Sequence, residues 1–229
     1  MTASEMVISF KQGLDKFDSK NYPNLEPEEI DLVLNQAQDA FVKQRYGYNN
    51  IKKESFEETQ KRTEDLKALI VTQNITPLAN TSDNINSNAN FITLPADHWI
   101  TIQELTNLTF TDCGVSKTED VFTLGIQHND YSKIISNPFA KPTDEKVLRL
   151  MTKEGVELLH SPTSTINSYK IRYIKRPVRI DSSNLPNVDC ELSEHTHQEI
   201  VNTAIMIALE NIETNRINTY SQIVLNKTE

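Results

Sequence analysis

The hydrophobic period of this chain changes twice, and that change constrains its fold more than any other feature. Up to Ile70 the apolar residues recur three and four apart. Between Phe91 and Ile174 they recur two apart, and from Ser193 the helical spacing returns. A stripe written at one period cannot be buried on an element of the other period. Helices, then strands, then one helix argue for an α+β fold with a mostly antiparallel β region, not alternating α/β units. The expected divisions are a helical part over 1–75 and a β-rich part over 76–190. A helix over 191–214 packs back on the helical part, and an extended tail covers 215–229.

Local signals fill in this outline. Met6, Phe10, Leu14 and Phe17 sit at helical spacing, with Ser4 placed to cap them. Pro27, Glu28 and Glu29 favour a second helix start, and Ile30, Val33, Leu34, Ala37 and Phe41 form its stripe up to Gly47. Ser55 with Glu58 reads as a capping box opening a third helix that runs through Leu66, Leu69 and Ile70. Residues 80–90 hold five asparagines in eleven positions and read as an exposed loop.

Phe91–Leu94 then reads as a short strand stopped by Pro95. Trp99–Phe110 reads as a long strand whose apolar phase slips, which predicts a bulge. Asp130–Ser136 reads as one helical turn. Lys146–Met151 and Val156–His160 flank a turn at Glu154-Gly155. In Tyr169–Ile174 the residues Tyr169, Ile171 and Tyr173 alternate with Lys170, Arg172 and Ile174. Ser193 is placed to cap a last helix with Ile200, Val201, Ala204, Ile205, Ala208, Leu209 and Ile212 on its apolar face. After Asn215 the chain turns polar, except for the β-prone Ile223-Val224-Leu225.

Composition and charge narrow the function. With 37% apolar and 24% charged residues the chain reads as soluble and globular. No apolar run approaches the roughly 18 residues that a membrane span needs. The amphipathic first twenty residues do not read as an export signal, so Cys113 and Cys190 read as thiols rather than a disulfide. The net charge of −9 is uneven: residues 141–180 carry +5 and the rest is acidic. An acidic molecule disfavours tight binding to DNA phosphates and suits a surface that DNA passes without sticking.

Chemistry is sparse. None of the five glycines lies in a phosphate-cradling pattern, and there is no GxSxG elbow. Cys190, His195 and His197, with Cys113, could in principle surround zinc, but no CxxC-type pairing supports it. Asp97-His98, and Glu199 after the two histidines, come without a nucleophile elbow or an HExxH, so neither has the geometry that hydrolytic chemistry demands. No catalytic residue, metal ligand or cofactor is therefore expected. The basic run Lys170, Arg172, Lys175, Arg176 and Arg179, interleaved with Tyr169 and Tyr173, is open to three readings: a solvated strand face, a contact to an acidic protein surface, or a weak nucleic-acid site. In the tail, Ile223 and Leu225 are the candidate anchors on a partner.

Four stretches resemble the ring proteins of crAss-like podoviruses. Residues 27–38 (PEEIDLVLNQAQ) with 41–47 (FVKQRYG) are similar to their amino-terminal helix. Leu94-Pro95-Ala96-Asp97-His98-Trp99 resembles the lead-in to their β region. Tyr173-Ile174-Lys175-Arg176-Pro177 resembles a strand end, and residues 190–201 (CELSEHTHQEIV) resemble the opening of the final helix. The resemblance implies a non-enzymatic subunit of a head-to-tail connector ring of about twelve copies, lying below the portal and lining the DNA passage. The implied partners are copies of itself, the portal and neighbouring tail or ring proteins. The implied location is the head–tail junction of the virion, after synthesis in the host cytoplasm. The residues alone leave open a small carbohydrate- or peptide-binding module and, less readily, a hydrolase.

Overall fold

A computed structural model of the chain describes residues 1–15, 25–47, 56–77, 88–153 and 155–211. The architecture is α+β, and the chain divides into two compact units, Met1–Leu69 with Pro177–Glu229, and Ile70–Arg176.

The first unit is helical. Helix α1 spans Ala3–Asp15 and buries Met6, Phe10 and Leu14, while Phe17 lies outside the described residues. Its cap is Thr2 rather than the expected Ser4. The Thr2 hydroxyl accepts the Glu5 N–H at 3.3 Å and the Glu5 carboxylate accepts the Thr2 N–H at 2.8 Å. This reciprocal pair satisfies two orphan donors, which Ser4 could not do with Asp or Glu absent from position 7. Helix α2 spans Pro27–Tyr46, with the Glu26 N–H held by the Glu29 carboxylate at 3.0 Å. Gly47 ends it in extended backbone (φ −80°), so the left-handed freedom of glycine is not used.

Helix α3 covers only Gln60–Leu66, followed by a 3-10 turn at Lys67–Leu69. The predicted start at Ser55 lies outside the described residues, and Phe56–Glu58 form a turn ahead of the helix. Ile70 opens a strand instead of closing the helix. The β-branched run Ile70-Val71-Thr72 crowds the preceding turn of a helix and fits a pleated ladder better.

Helix α5 spans His197–Asn211 and packs on α1 and α2. It buries Ile200, Val201, Ala204, Ile205, Ala208 and Leu209. Each fully buried Ile or Leu contributes roughly 1.5–3 kcal/mol relative to exposure. A Cβ on Gly13 of α1 would come within 2.3 Å of Ile205 Cδ1, so the glycine permits that approach. Ser193 does precede this region, but a 3-10 turn at Glu194–Thr196 intervenes and its hydroxyl donates to Glu64 O (3.2 Å) instead of capping.

Among its described residues the second unit holds one seven-stranded sheet: β1 (Ile70–Ile75), β2 (Ala89–Thr93), β3 (His98–Asp112), β4 (Val115–Gly125), β5 (Lys146–Met151), β6 (Gly155–Leu159) and β7 (Ser164–Lys175). Their order is β1-β7-β3-β4-β5-β6-β2, antiparallel throughout except for β4 with β5. The phase slip in β3 appears as register shifts against β7 at His98/Ile100, Thr101/Gln103 and Asn107/Leu108.

Ile92, Leu108, Val121, Val147, Val156, Leu158, Ile166, Tyr169, Ile171 and Tyr173 form one core cluster, drawn from six strands, so the sheet curls around it. A smaller cluster of Ala89, Leu148, Leu150 and Leu159 is covered by Tyr131, Ile134 and Ile135 of helix α4 (Tyr131–Ser136).

Two strands were not legible in the sequence, β1 and β4. Strand β4 is mostly polar and exposed, so it carries no alternation to detect. It is held by β3 across a two-residue turn, Cys113 (φ 48°) and Gly114 (φ 81°), the left-handed pair that tight hairpins need.

Candidate interaction surface

The alternation in β7 separates the tyrosines from the cations. Tyr169, Ile171 and Tyr173 are buried, while Lys170 and Arg172 are exposed on the opposite face. Burial leaves the two phenols in need of partners, and each finds a carboxylate. Tyr169 donates to Glu104, which also accepts from the Arg149 guanidinium, and Tyr173 donates to Asp97 at 2.9 Å. Burial, reinforced by these carboxylates, raises both phenol pKa values, that of Tyr173 to about 12. The His98 ring lies 5.2 Å from that of Tyr173 and contacts Thr101 Oγ1 at 2.9 Å. Burial lowers the His98 pKa. Asp97 and His98 thus serve different partners, and both act in holding the sheet together.

The basic run does not form one face. Arg172 Nε donates to Thr72 Oγ1 at 3.2 Å, which lays the guanidinium over β1, the end strand of the sheet. Lys175 is half-buried, and Arg176 is exposed while its backbone N–H reaches Asp97 O at 2.7 Å. Arg179 belongs to the helical unit. Ile223 and Leu225 lie outside the described residues.

The candidate zinc ligands divide between the two units. Cys113 sits in the exposed β3–β4 turn and Cys190 is buried in the helical unit, 3.4 Å from Gln38 Oε1. Burial pushes the Cys190 thiol up to about 11. His195 Nε2 contacts Asp65 at 2.8 Å and His197 Nε2 contacts Leu192 O at 2.8 Å. Among the described residues no three His, Cys, Asp or Glu side chains converge as a metal site.

Sequence reasoning missed the polar side chains that organise the helical unit. Asp31, Asn35 and Gln38 follow one another at helical spacing on α2 and hold the segment 178–182 along it. Gln38 donates to Val178 O (3.0 Å), Asn35 binds Ile180 at both backbone groups, and the Asp31 carboxylate accepts Ser182 N–H and O–H, each at 2.8 Å. Further along α2, buried Arg45 pairs with Asp65 of α3 at 3.0 Å and with Glu199 of α5. The only hint in the sequence was that these polar residues flank the apolar stripe.

The segment beyond Ile180 is a tied loop. Asp181 and Val188 exchange two backbone hydrogen bonds, and the Asp181 carboxylate accepts from Ser183 and from both N–H groups of Asn184. These bonds lower its pKa to about 2. Leu185, 92% exposed, stands at the tip. Among the described residues, buried Asp31 and Asp65 and the histidines His98, His195 and His197 are held in structural bonds.

The model of the phage tail ring protein 3/4 family matches residues 1–219. The chain belongs to that family. Two curated relatives come from Bacteroides phage crAss001. Ring protein 4/5 is 26% identical over 227 residues, covering 91% of this chain and 92% of the relative. Ring protein 3 is 26% identical over 220 residues, covering 91% and 95%. Membership in this ring-protein family makes the chain a structural phage protein of the virion, and it agrees with the resemblance drawn from the four stretches above. No helix among the described residues is long and apolar enough to cross a membrane.

Proposed function

We propose that this chain is a subunit of the connector ring that links phage head to tail, assembled in about twelve copies below the portal around the DNA passage. The observation that carries this reading is the ring-family match over residues 1–219. The net charge of −9 supports a lining that DNA passes without adhering. The partners are neighbouring copies, the portal and adjacent ring or tail proteins. Lys170, Arg172, Lys175 and Arg176 meet acidic surface on a neighbouring subunit, and Ile223 and Leu225 anchor the tail on a neighbour or the portal. No residue has a catalytic role.

Electron micrographs of the purified chain, with and without the portal of its phage, test the reading. Rings that stack on the portal are expected. A protein that stays at its 26.1 kDa monomer mass with the portal present would sink it.

A further inference from the structure

Half of the sheet has two open edges, and they are complementary. In the order β1-β7-β3-β4, strand β1 is the end strand. At the other side β5 pairs only with Phe122–Gly125 of β4. Residues 115–121 of β4 therefore have no strand beside them on that side among the described residues, and the same holds for the outer side of β1. An edge left like this is a template for another strand.

Strand direction favours joining the two edges head to tail. β1, β7, β3 and β4 alternate in direction. A β1 from a second copy laid beside β4 would continue the alternation as one more antiparallel strand. Repeated from copy to copy, this contact is heterologous and generates a ring if the rotation closes.

The faces then select the register. Cross-strand partners share a face, so Val115, Lys117, Glu119 and Val121 share the face of buried Leu108. By the same reasoning Val71, Gln73 and Ile75 share the face of Tyr169, Ile171 and Tyr173. β1 has six residues and the open stretch of β4 has seven, so two antiparallel registers seat all of β1 without meeting β5 or the turn. A one-residue slip exchanges faces. Only one of the two matches core face to core face: Val115 opposite Ile75, Thr118 opposite Thr72 and Asp120 opposite Ile70 of the next copy.

Charge supports the same register. Asp120 falls on the face that carries Lys170 and Arg172, one step diagonally from Thr72, the residue over which Arg172 is laid. Diagonal neighbours lie about 7–8 Å apart, within reach of a long side chain.

We propose that the open edge of β4, Val115–Val121, pairs antiparallel with β1 of a second copy, with Asp120 facing Arg172 of that copy. This contact rests on the ring reading above and specifies how neighbouring copies join.

A cysteine pair tests it in the full-length chain. Residues directly opposite in antiparallel strands have Cα atoms about 4.5–5.5 Å apart, within disulfide range. Cys113 is exposed, so Cys113→Asn serves as background, asparagine tolerating the left-handed turn position. In that background, Thr118→Cys with Thr72→Cys should give, on oxidation of the assembled protein, a ladder of covalent multimers extending beyond dimers. Either cysteine alone should stop at dimers. Asp120→Arg and Arg172→Asp should each reduce assembly at least tenfold, and the double exchange should restore most of it.

Rings that form normally but give no ladder and ignore both charge reversals overturn the pairing while leaving the ring reading intact. A ladder that ends at dimers for the double variant overturns the head-to-tail arrangement. A chain that forms no ring even with its portal overturns the ring reading, and the pairing with it.

Discussion

Asn35 grips Ile180 with both ends of its side-chain amide: Nδ2 donates to Ile180 O at 2.9 Å and Oδ1 accepts the Ile180 N–H at 2.9 Å. A helix side chain thereby satisfies both backbone groups of a buried residue that lies outside any strand. Truncation by Asn35→Ala leaves both backbone groups buried without partners, at roughly 1–3 kcal/mol for each. Urea unfolding of the variant should show a loss in that range with an unchanged m-value. A loss below about 0.5 kcal/mol, the usual scale of a surface change, would show that the segment detaches or hydrates freely.

Arg45 gathers three helices through charge. It pairs with Asp65, which is 1% exposed, and with Glu199, and Asp65 also meets His195. Removing one partner of a buried pair strands the other charge and costs about 3–5 kcal/mol. Arg45→Met should therefore be strongly destabilising in thermal or denaturant melts. Adding Asp65→Leu should recover much of the loss, because an apolar replacement removes the stranded charge. A double variant no better than the single would place the worth of Arg45 in its packing over Phe41, 4.9 Å away.

What the sequence revealed divides along physical lines. Strands and helices with one buried face wrote their period into the chain: the stripe of α2, the face of α5 through Leu209 and the alternation of Tyr169, Ile171 and Tyr173 appear where expected, while Ile212 lies outside the described residues. Strand β4 was silent because its stability comes from its neighbour and from the Cys113-Gly114 turn, not from burial of its own side chains. Strand β1 is hidden because Leu66, Leu69 and Ile70 continue the helical spacing by coincidence, which draws Ile70 into the helix. Asp31, Asn35 and Gln38 were overlooked because nothing in one chain's spacing marks a polar side chain whose partner is 140 or more residues away. Of the proposed contact surface, the sequence offers only the cations as candidates, since an open sheet edge exists only once the strand order is known.

Asp181 predicts a local acid transition. Its carboxylate is held down to about 2 by bonds from Ser183 and Asn184. A carboxylate whose folded pKa is depressed lends stability above its unfolded value near 4. That stability fades as pH falls from about 4 through about 2. The loop over 181–188 should loosen in that window, seen as loss of the Asn184 side-chain and backbone amide signals by NMR. Asp181→Asn should remove the pH dependence while retaining most of the turn. A loop whose signals are insensitive down to pH 2 would contradict the assignment.

Half-buried Lys175 at the end of β7 and exposed Arg176 after it predict a salt-dependent assembly rate. Charges at the rim of an interface set encounter rate and register more than final affinity. Lys175→Glu with Arg176→Glu should slow ring formation about tenfold at low salt, with the difference shrinking toward high salt as screening sets in. Light scattering during assembly measures this directly. Equal rates at every ionic strength would mark these two cations as solvated side chains without an assembly role.

The tail carries the remaining prediction. Residues 215–229 contain Asn215, Asn218 and Asn226 around the apolar, β-prone Ile223-Val224-Leu225. The sequence offers no helical stripe there that would tie the segment to its own core. An apolar patch on such a segment is suited to a groove or sheet edge on a partner, with the ordering entropy met on binding. Deleting residues 216–229 should leave the melting temperature nearly unchanged and lower ring or portal association. Ile223→Ser with Leu225→Ser should reproduce the deletion if those two side chains are the anchors. Assembly equal to that of the full chain would deprive the segment of any role. An unfolded truncation would instead assign it to the core of the helical unit, since loss of a docked apolar strand removes burial that a partner contact does not supply.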